Sequence, residues 1–294
     1  MKNFDELYKT LSNISTEKID IARKKLLIKT AIGIPLAILF VIIGTYFVPG
    51  FTFFFIIIAI IMFMIFVRNS SFNISQFYKK EIISKLISTY DENLHFDSTA
   101  HIEKIDYMLA EFERFDHFYS NDLIYGNIDG LIDFKLGDVH TEDESTDSDG
   151  HTSRTTLFRG LFSIEKLDKN INTTIKIRLD KFFKISKKNI LSMDSQEFEK
   201  YFDVYCTDKI LTMRILTSDI MDYMLTFAKK NKIKFEITIK NSQAFTRVHC
   251  SDMFELPTFG KALDYKTLHK YYKYLNFMCE LNKKIYNVIS SKYI

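Results

Sequence analysis

From Thr30 to Val67 the chain carries no charged side chain, and the run is interrupted near its middle by the breaker pair Pro49-Gly50. A helix rises about 1.5 Å per residue, so about 20 residues cross a hydrocarbon core about 30 Å thick. The pattern predicts a transmembrane helical hairpin over 30–67, with spans at 30–48 and 51–67. A secretory signal peptide would be shorter, begin earlier and end in a small-residue cleavage site. A buried hairpin in a soluble protein is the other alternative, but the run is longer and richer in Ile, Phe and Leu than ordinary core helices.

Lys and Arg beside a span stay on the cytoplasmic side. Arg23, Lys24, Lys25 and Lys29 precede the first span, Arg68, Lys79 and Lys80 follow the second, and the turn carries no charge. Both flanks are expected in the cytoplasm, at the inner (plasma) membrane of a bacterium, with only the tip from Phe47 to Thr52 on the far side. Transport, proton relay and voltage sensing need ionisable groups at membrane depth. None lies between Thr30 and Val67, so the hairpin reads as an anchor in the lipid bilayer. Gly33 and Ala37 form a small-xxx-small pair through which the two helices, or two copies in a homo-oligomer, could approach, and Pro35 bends the helix in the same turn.

The rest of the 294 residues suffices for one sizeable domain. With 40 basic and 37 acidic residues, the net charge of +3 is too small to argue for nucleic acid. Cys206, Cys250 and Cys279 are odd in number and widely spaced, so they make neither a disulfide framework nor a CxxC pair. That fits a reducing cytoplasm.

Within 1–29, Phe4, Leu7, Tyr8, Leu11 and Ile14 recur at helical spacing. After a break at Ser15-Thr16, a second helix is expected to run through Ile19 and Ile21 into the first span. A cytoplasmic domain is expected over 68–294. It opens with the helical stripe Ile74, Phe77, Tyr78, Ile82, Leu86 and Ile87, followed by a short helix around Ile102 to Leu109. Leu123 to Ile128 and Leu131 to Leu136 read as strands joined at Asp129-Gly130. A second pair, Thr155 to Lys166 and Thr173 to Leu179, is expected to join through Asp168-Lys169-Asn170. The tract 138–154 is acidic, with no basic residue before Arg154, and reads as a mobile loop. Ser195 to Tyr205 reads as a helix opening at Ser195, and Ser218 to Lys230 as one capped by Ser218. Ile233 to Ile239 and Ala244 to His249 alternate apolar and polar residues and read as a hairpin turning at Asn241-Ser242. A long helix is expected over 265–291. The class is therefore α+β: a two-helix hairpin followed by one domain of mostly antiparallel sheet with flanking helices.

Chemistry is sparse. The chain has no GxxxxGK[ST], GxGxxG, HExxH or GxSxG, which disfavours nucleotide hydrolases and the common zinc and serine hydrolases. The acidic tract also contains His140 and His151, but a flexible loop cannot hold metal ligands rigidly, and no metal or cofactor is expected. His249 and Cys250 are strand neighbours that point to opposite faces, so they cannot act together as base and nucleophile. Asp116-His117 could orient an imidazole, yet no serine or cysteine is tied to it. Lys229, Lys230, Lys232 and Lys234 close a helix and open a strand. Offsetting the helix dipole explains them, with anionic lipid headgroups as the alternative.

The segments Asn121-Asp122-Leu123-Ile124-Tyr125-Gly126, Phe158-Arg159-Gly160-Leu161-Phe162, Glu197-Phe198-Glu199-Lys200-Tyr201-Phe202-Asp203-Val204-Tyr205 and Ile215-Leu216-Thr217-Ser218, taken in order, resemble a bacterial membrane-protein family described as domain of unknown function 3137. The resemblance covers most of the chain after the hairpin. It implies a pair of spans, a strand-rich region with a variable loop, and the acidic-aromatic segment from Glu197 to Tyr205. Members often carry serine where this chain has Cys206, which argues against Cys206 as a nucleophile. The reading that follows is a membrane-anchored, cytoplasm-facing module that binds, senses or scaffolds without catalysis. Its partners would be the bilayer and a protein or a second copy, and its binding residues Arg159, Glu197, Glu199 and Tyr205. The alternative is a membrane-associated enzyme acting on lipid or envelope material.

Overall fold

The computed structural model describes residues 3–14, 16–179, 190–251, 253–257 and 261–291, with the side chains of 67–73 left aside. The chain divides into two compact units. The first comprises residues 3–85 with 255–268, and the second residues 86–254 with 269–291.

The first unit begins with α1 (Phe4–Ser12), whose Phe4, Leu7 and Leu11 are buried at the predicted spacing. Asn3 caps it by accepting from the Asp5 N–H. Tyr8 donates to the Leu263 carbonyl at 3.0 Å, and the Tyr265 hydroxyl donates to Asp5 at 2.8 Å. α2 (Glu17–Phe47) and α3 (Thr52–Tyr78) are joined by a single 3₁₀ turn over Pro49–Phe51. Both are long and apolar enough to cross a membrane, and their most apolar windows are 0% and 6% buried. They are therefore not core helices. The helices meet at glycine: a Cβ on Gly44 would lie 2.6 Å from the Phe55 ring, and one on Gly33 would lie 3.1 Å from Phe63. The contact of Gly33 thus lies within the hairpin. α3 continues through a π-turn, Lys79–Ile83, into α4 (Ser84–Tyr90). Lys79 is nearly buried and donates to Glu255 at 2.6 Å, and the Ser75 hydroxyl donates to the other oxygen of that carboxylate. The break expected at Ser15-Thr16 falls partly outside the described residues.

The second unit is built on an antiparallel sheet of β1 (Leu94–Asp97), β2 (His117–Ile128), β3 (Ile132–Thr146), β4 (Thr152–Leu179), β5 (Ile190–Leu191), β6 (Phe202–Cys206) and β7 (Phe235–His249). The short α5 (Lys104–Leu109) and α6 (Lys209–Ile215) connect strands, while α7 (Ser218–Asn231) and α8 (Tyr265–Ser290) are longer. The antiparallel sheet with flanking helices agrees with the expected class. Asp129 (φ 52°) and Gly130 (φ 70°) turn β2 into β3 in the left-handed conformation that this pair favours.

The path through the middle of the sheet departs from simple hairpins. β7 has 15 residues, about 50 Å if extended. Yet the His249 N–H donates to the Lys234 carbonyl at 2.8 Å, and Arg247 reaches Glu236 at 2.7 Å. The strand therefore doubles back about Asn241-Ser242, where Asn241 takes φ 53°. The fold-back expected there is present. β4 follows it on the outside: Lys166 pairs with Gln243 and Thr174 with Lys240, so β4 makes a wide detour around a tight turn. The first arm of β4 is bonded to β3 and β7, and the second to β7 and β6. The expectation that Thr155–Lys166 and Thr173–Leu179 pair with each other is thus corrected. Both edges of each arm are taken, and β7 fills the slot between them.

Three further expectations are overturned. In the acidic tract 138–154, residues 138–146 complete β3 and 152–154 open β4, with Glu144 opposite Arg154 and only a short turn between. Within it Glu144 meets His117 and Arg154 across strands, each at 2.8 Å. Ser195–Tyr205 is a 3₁₀ turn, Phe198–Lys200, followed by β6, because Phe202 and Val204 are buried in register with β4. Thr217, rather than Ser218, caps α7 by accepting from the Ile220 N–H.

The two sheet faces differ. On one, Phe162, Ile164 and Phe245 pack with Tyr107, Ala110 and Phe158 beneath the segment carrying α5. On the other, Phe235 meets Phe227 of α7 and Phe277 of α8, whose rings stack at 3.5 Å.

Candidate functional cleft

Where β7 doubles back, the face beneath α5 ceases to be apolar and becomes ionic. Arg247 donates to Glu236, to the Tyr107 hydroxyl at 2.9 Å and to Glu113. Arg178, on the second arm of β4, donates to the Ile237 carbonyl at 2.7 Å and to the Thr238 hydroxyl at 2.8 Å. Both guanidiniums lie against the Phe112 ring, at 4.6 and 4.3 Å from its centre. Burial pushes the Arg178 guanidinium down to about 10. Burial would do the same to Arg247, but Tyr107, Glu236 and Glu113 outweigh it and hold Arg247 above its ordinary value. At the margin, Lys176 and Lys240 both bond Glu111 and lower its carboxyl to about 2.

This ion network forms one wall of a cleft of about 1030 Å³ at the open end of the β7 fold-back. Arg247, Glu236 and His249 come from β7. Lys200, Tyr201 and Phe202 come from the tract before and into β6, and Lys229, Lys232 and Lys234 from the end of α7 and the chain leading into β7. Burial, reinforced by Arg247, lowers the His249 pKa, so its imidazole stays neutral further into acid than a free one. Its ring stands edge-on to Phe158 at 4.9 Å. Lys229 is paired with Glu197 at the surface and Lys200 acts on the same carboxylate, whereas Lys232 and Lys234 have no acidic partner among the described residues. The cleft therefore presents four lysines and an arginine around one carboxylate, beside the apolar side chains of Leu157, Leu179 and Ile233. Among the described residues, no three His, Cys, Asp or Glu side chains gather as metal ligands would.

The four residues named from sequence take separate positions. Glu197 is exposed at the Lys229 pair, and that hydrogen bond lowers its pKa. Glu199 accepts from the Met193 N–H at 2.7 Å and the Ser192 hydroxyl at 3.0 Å, tying down the loop before β6. Tyr205 lies on β6 between β4 and β5, opposite Lys176 and Ile190. Arg159 is exposed on β4, opposite His140, and its carbonyl accepts from the Cys250 N–H. None of the four lines the cleft, although the Glu197–Tyr205 tract supplies Lys200, Tyr201 and Phe202 to it. Glu199→Ala is expected to cost about 1 kcal/mol, the worth of its loop hydrogen bonds, and Glu199→Gln less. Thermal unfolding of the detergent-solubilised chain would show it, and equal melting of both variants with the parent would remove the role. Sequence reasoning singled out Lys229, Lys232 and Lys234 but missed Lys200, Glu236 and Arg247, which join them only through the fold-back.

Residues 156–286 match the family model described as "Protein of unknown function (DUF3137)". The match runs from the first arm of β4 into α8 and contains three of the four quoted segments. No curated protein matches the chain. Among solved structures, the crystal structure of the mycobacterial trehalose monomycolate transport factor A, TtfA, aligns over 68% of this chain and 89% of that one, at 9% identity and a TM-score of 0.37.

Proposed function

We propose that the chain is anchored by α2 and α3 in a bacterial inner membrane, with both flanks in the cytoplasm, and that its sheet unit is a non-catalytic binding module. The carrying observation is that α2 and α3 leave their apolar side chains almost wholly unburied, a surface far larger than water tolerates on a soluble protein. Basic residues in the first turns of α2, ahead of the uncharged run, and after that run, with none at the tip, support the orientation. The cationic cleft supports binding, since its groups suit recognition of an anion rather than a nucleophile–base pair.

Gly50 at the tip has open space around it, so a cysteine fits there. In intact cells, Gly50→Cys is expected to react with a membrane-impermeant maleimide. The native, partly exposed Cys206 and Cys250 should react only after permeabilisation. Labelling of the parent chain in intact cells would overturn the orientation.

A further inference from the structure

We propose that the cleft at the β7 fold-back binds a phosphate-bearing anion with an attached apolar body. The anionic group is held among Lys200, Lys232 and Lys234, and the apolar part lies along Leu157, Leu179 and Ile233. The inference rests on reading the sheet unit as a binding module and names the ligand class for it.

Charge counting carries the first step. A helix C-terminus presents about half a negative charge, and Glu197 offsets Lys229. Glu236 is taken up by Arg247. Lys200 shares the Glu197 carboxylate with Lys229, and Lys232 and Lys234 have no acidic partner among the described residues, so positive charge lining one cavity remains beyond what the dipole of α7 calls for. Like charges gathered in this way repel one another, and an anion between them removes that cost.

Backbone conformation carries the second step, independently. Lys232 follows α7 in the left-handed region, at φ 51° and ψ 35°. That position ends helices most cheaply with glycine, whereas a lysine there is strained. Lys232 thus lines the cavity from a backbone position that glycine would fill at less cost. The next turn of chain is rigid, because the Lys234 carbonyl is bonded to the His249 N–H. Lys234 is thus presented from hydrogen-bonded backbone, as a binding site requires.

A phospholipid headgroup and a soluble phosphate ester share this chemistry. Full-length protein in an uncharged detergent would be titrated calorimetrically with dioctanoyl phosphatidylglycerol, dioctanoyl phosphatidylcholine and glycerol phosphate. Phosphatidylglycerol is expected to bind at least about tenfold more tightly than the zwitterionic lipid. Binding of phosphatidylglycerol well above that of glycerol phosphate supports the proposal, whereas comparable binding of glycerol phosphate leaves the apolar body without a role and overturns it. Lys232→Gly is expected to weaken anion binding severalfold while melting no lower than the parent, which a structural lysine would not do. Lys200→Gln with Lys232→Gly and Lys234→Gln should weaken it at least about tenfold. The proposal fails if neither anion binds, if phosphatidylcholine binds as tightly as phosphatidylglycerol, or if the triple variant binds unchanged. Such failures leave the maleimide pattern at Gly50 as it was, so anchoring and ligand class are tested separately.

Discussion

Arg247→Met is expected to destabilise the sheet unit by about 3–5 kcal/mol, because it strands the carboxylate of Glu236, which is 6% exposed, without its donor. Glu113 loses a partner as well, and Phe112 and Phe158 lose the guanidinium that lies against them. In a domain of this size the loss corresponds to roughly 10 °C in melting temperature, measurable by circular dichroism on the detergent-solubilised chain. Lysine at the same position should recover only part of the loss, since it lacks the planar fork that reaches Glu236, Tyr107 and Glu113 together. The double variant Arg247→Met with Glu236→Leu should melt well above Arg247→Met alone, because the unpaired carboxylate is then gone. Strictly additive losses in that cycle would show that the ion pair does not hold the two halves of β7 together.

The second large effect has the opposite sign. Glu165, in the middle of β4, is fully buried, and among the described residues neither carboxyl oxygen has a hydrogen-bond partner. Ser163 on the same strand and Thr246, which pairs with Ser163 across from β7, are likewise buried with unpartnered hydroxyls. Burial holds the Glu165 carboxyl well above the ordinary carboxylate range. In the unfolded chain that group ionises near pH 4, whereas the folded state keeps its proton at higher pH. Above about pH 4 the folded state therefore binds more protons than the unfolded one, and stability falls as pH rises. Glu165→Leu is expected to stabilise the unit by about 1–3 kcal/mol at neutral pH, by removing an unsatisfied buried polar group. Glu165→Gln should flatten the decline between pH 5 and 8 relative to the parent, at about those limits. Parallel pH profiles for parent and Glu165→Gln would mean that the carboxyl is solvated or paired in solution.

What could be read in the residues was local. Asp129-Gly130 declares its turn because both positions take positive φ, and the fold-back at Asn241-Ser242 is marked by the alternation on either side of it. The acidic tract misled for a physical reason. Six carboxylates with no base among them look unable to form anything, until β2 supplies His117 and the return strand Arg154. Those partners lie far off in sequence or across the turn, where composition is blind to them. The wide detour of β4 was equally hidden, because a strand read alone does not say that another hairpin will occupy the space between its arms. The cleft follows the same division. The cluster Lys229 to Lys234 was visible as charge, whereas Lys200, Arg247 and His249 arrive from segments that only the sheet brings together.

The slot between the arms of β4 also dictates an order of assembly. Both edges that β7 will occupy exist as soon as residue 179 has been made, but their occupant is completed only at residue 249. A nascent chain thus carries two open strand edges while α6 and α7 are still being synthesised, and such edges invite pairing with other chains. The β7 hairpin closes over a short loop and can form by itself in microseconds. Docking it into the slot is the step that joins segments far apart in sequence. A domain built in this way gains when its early segments are already tethered and held apart from other copies.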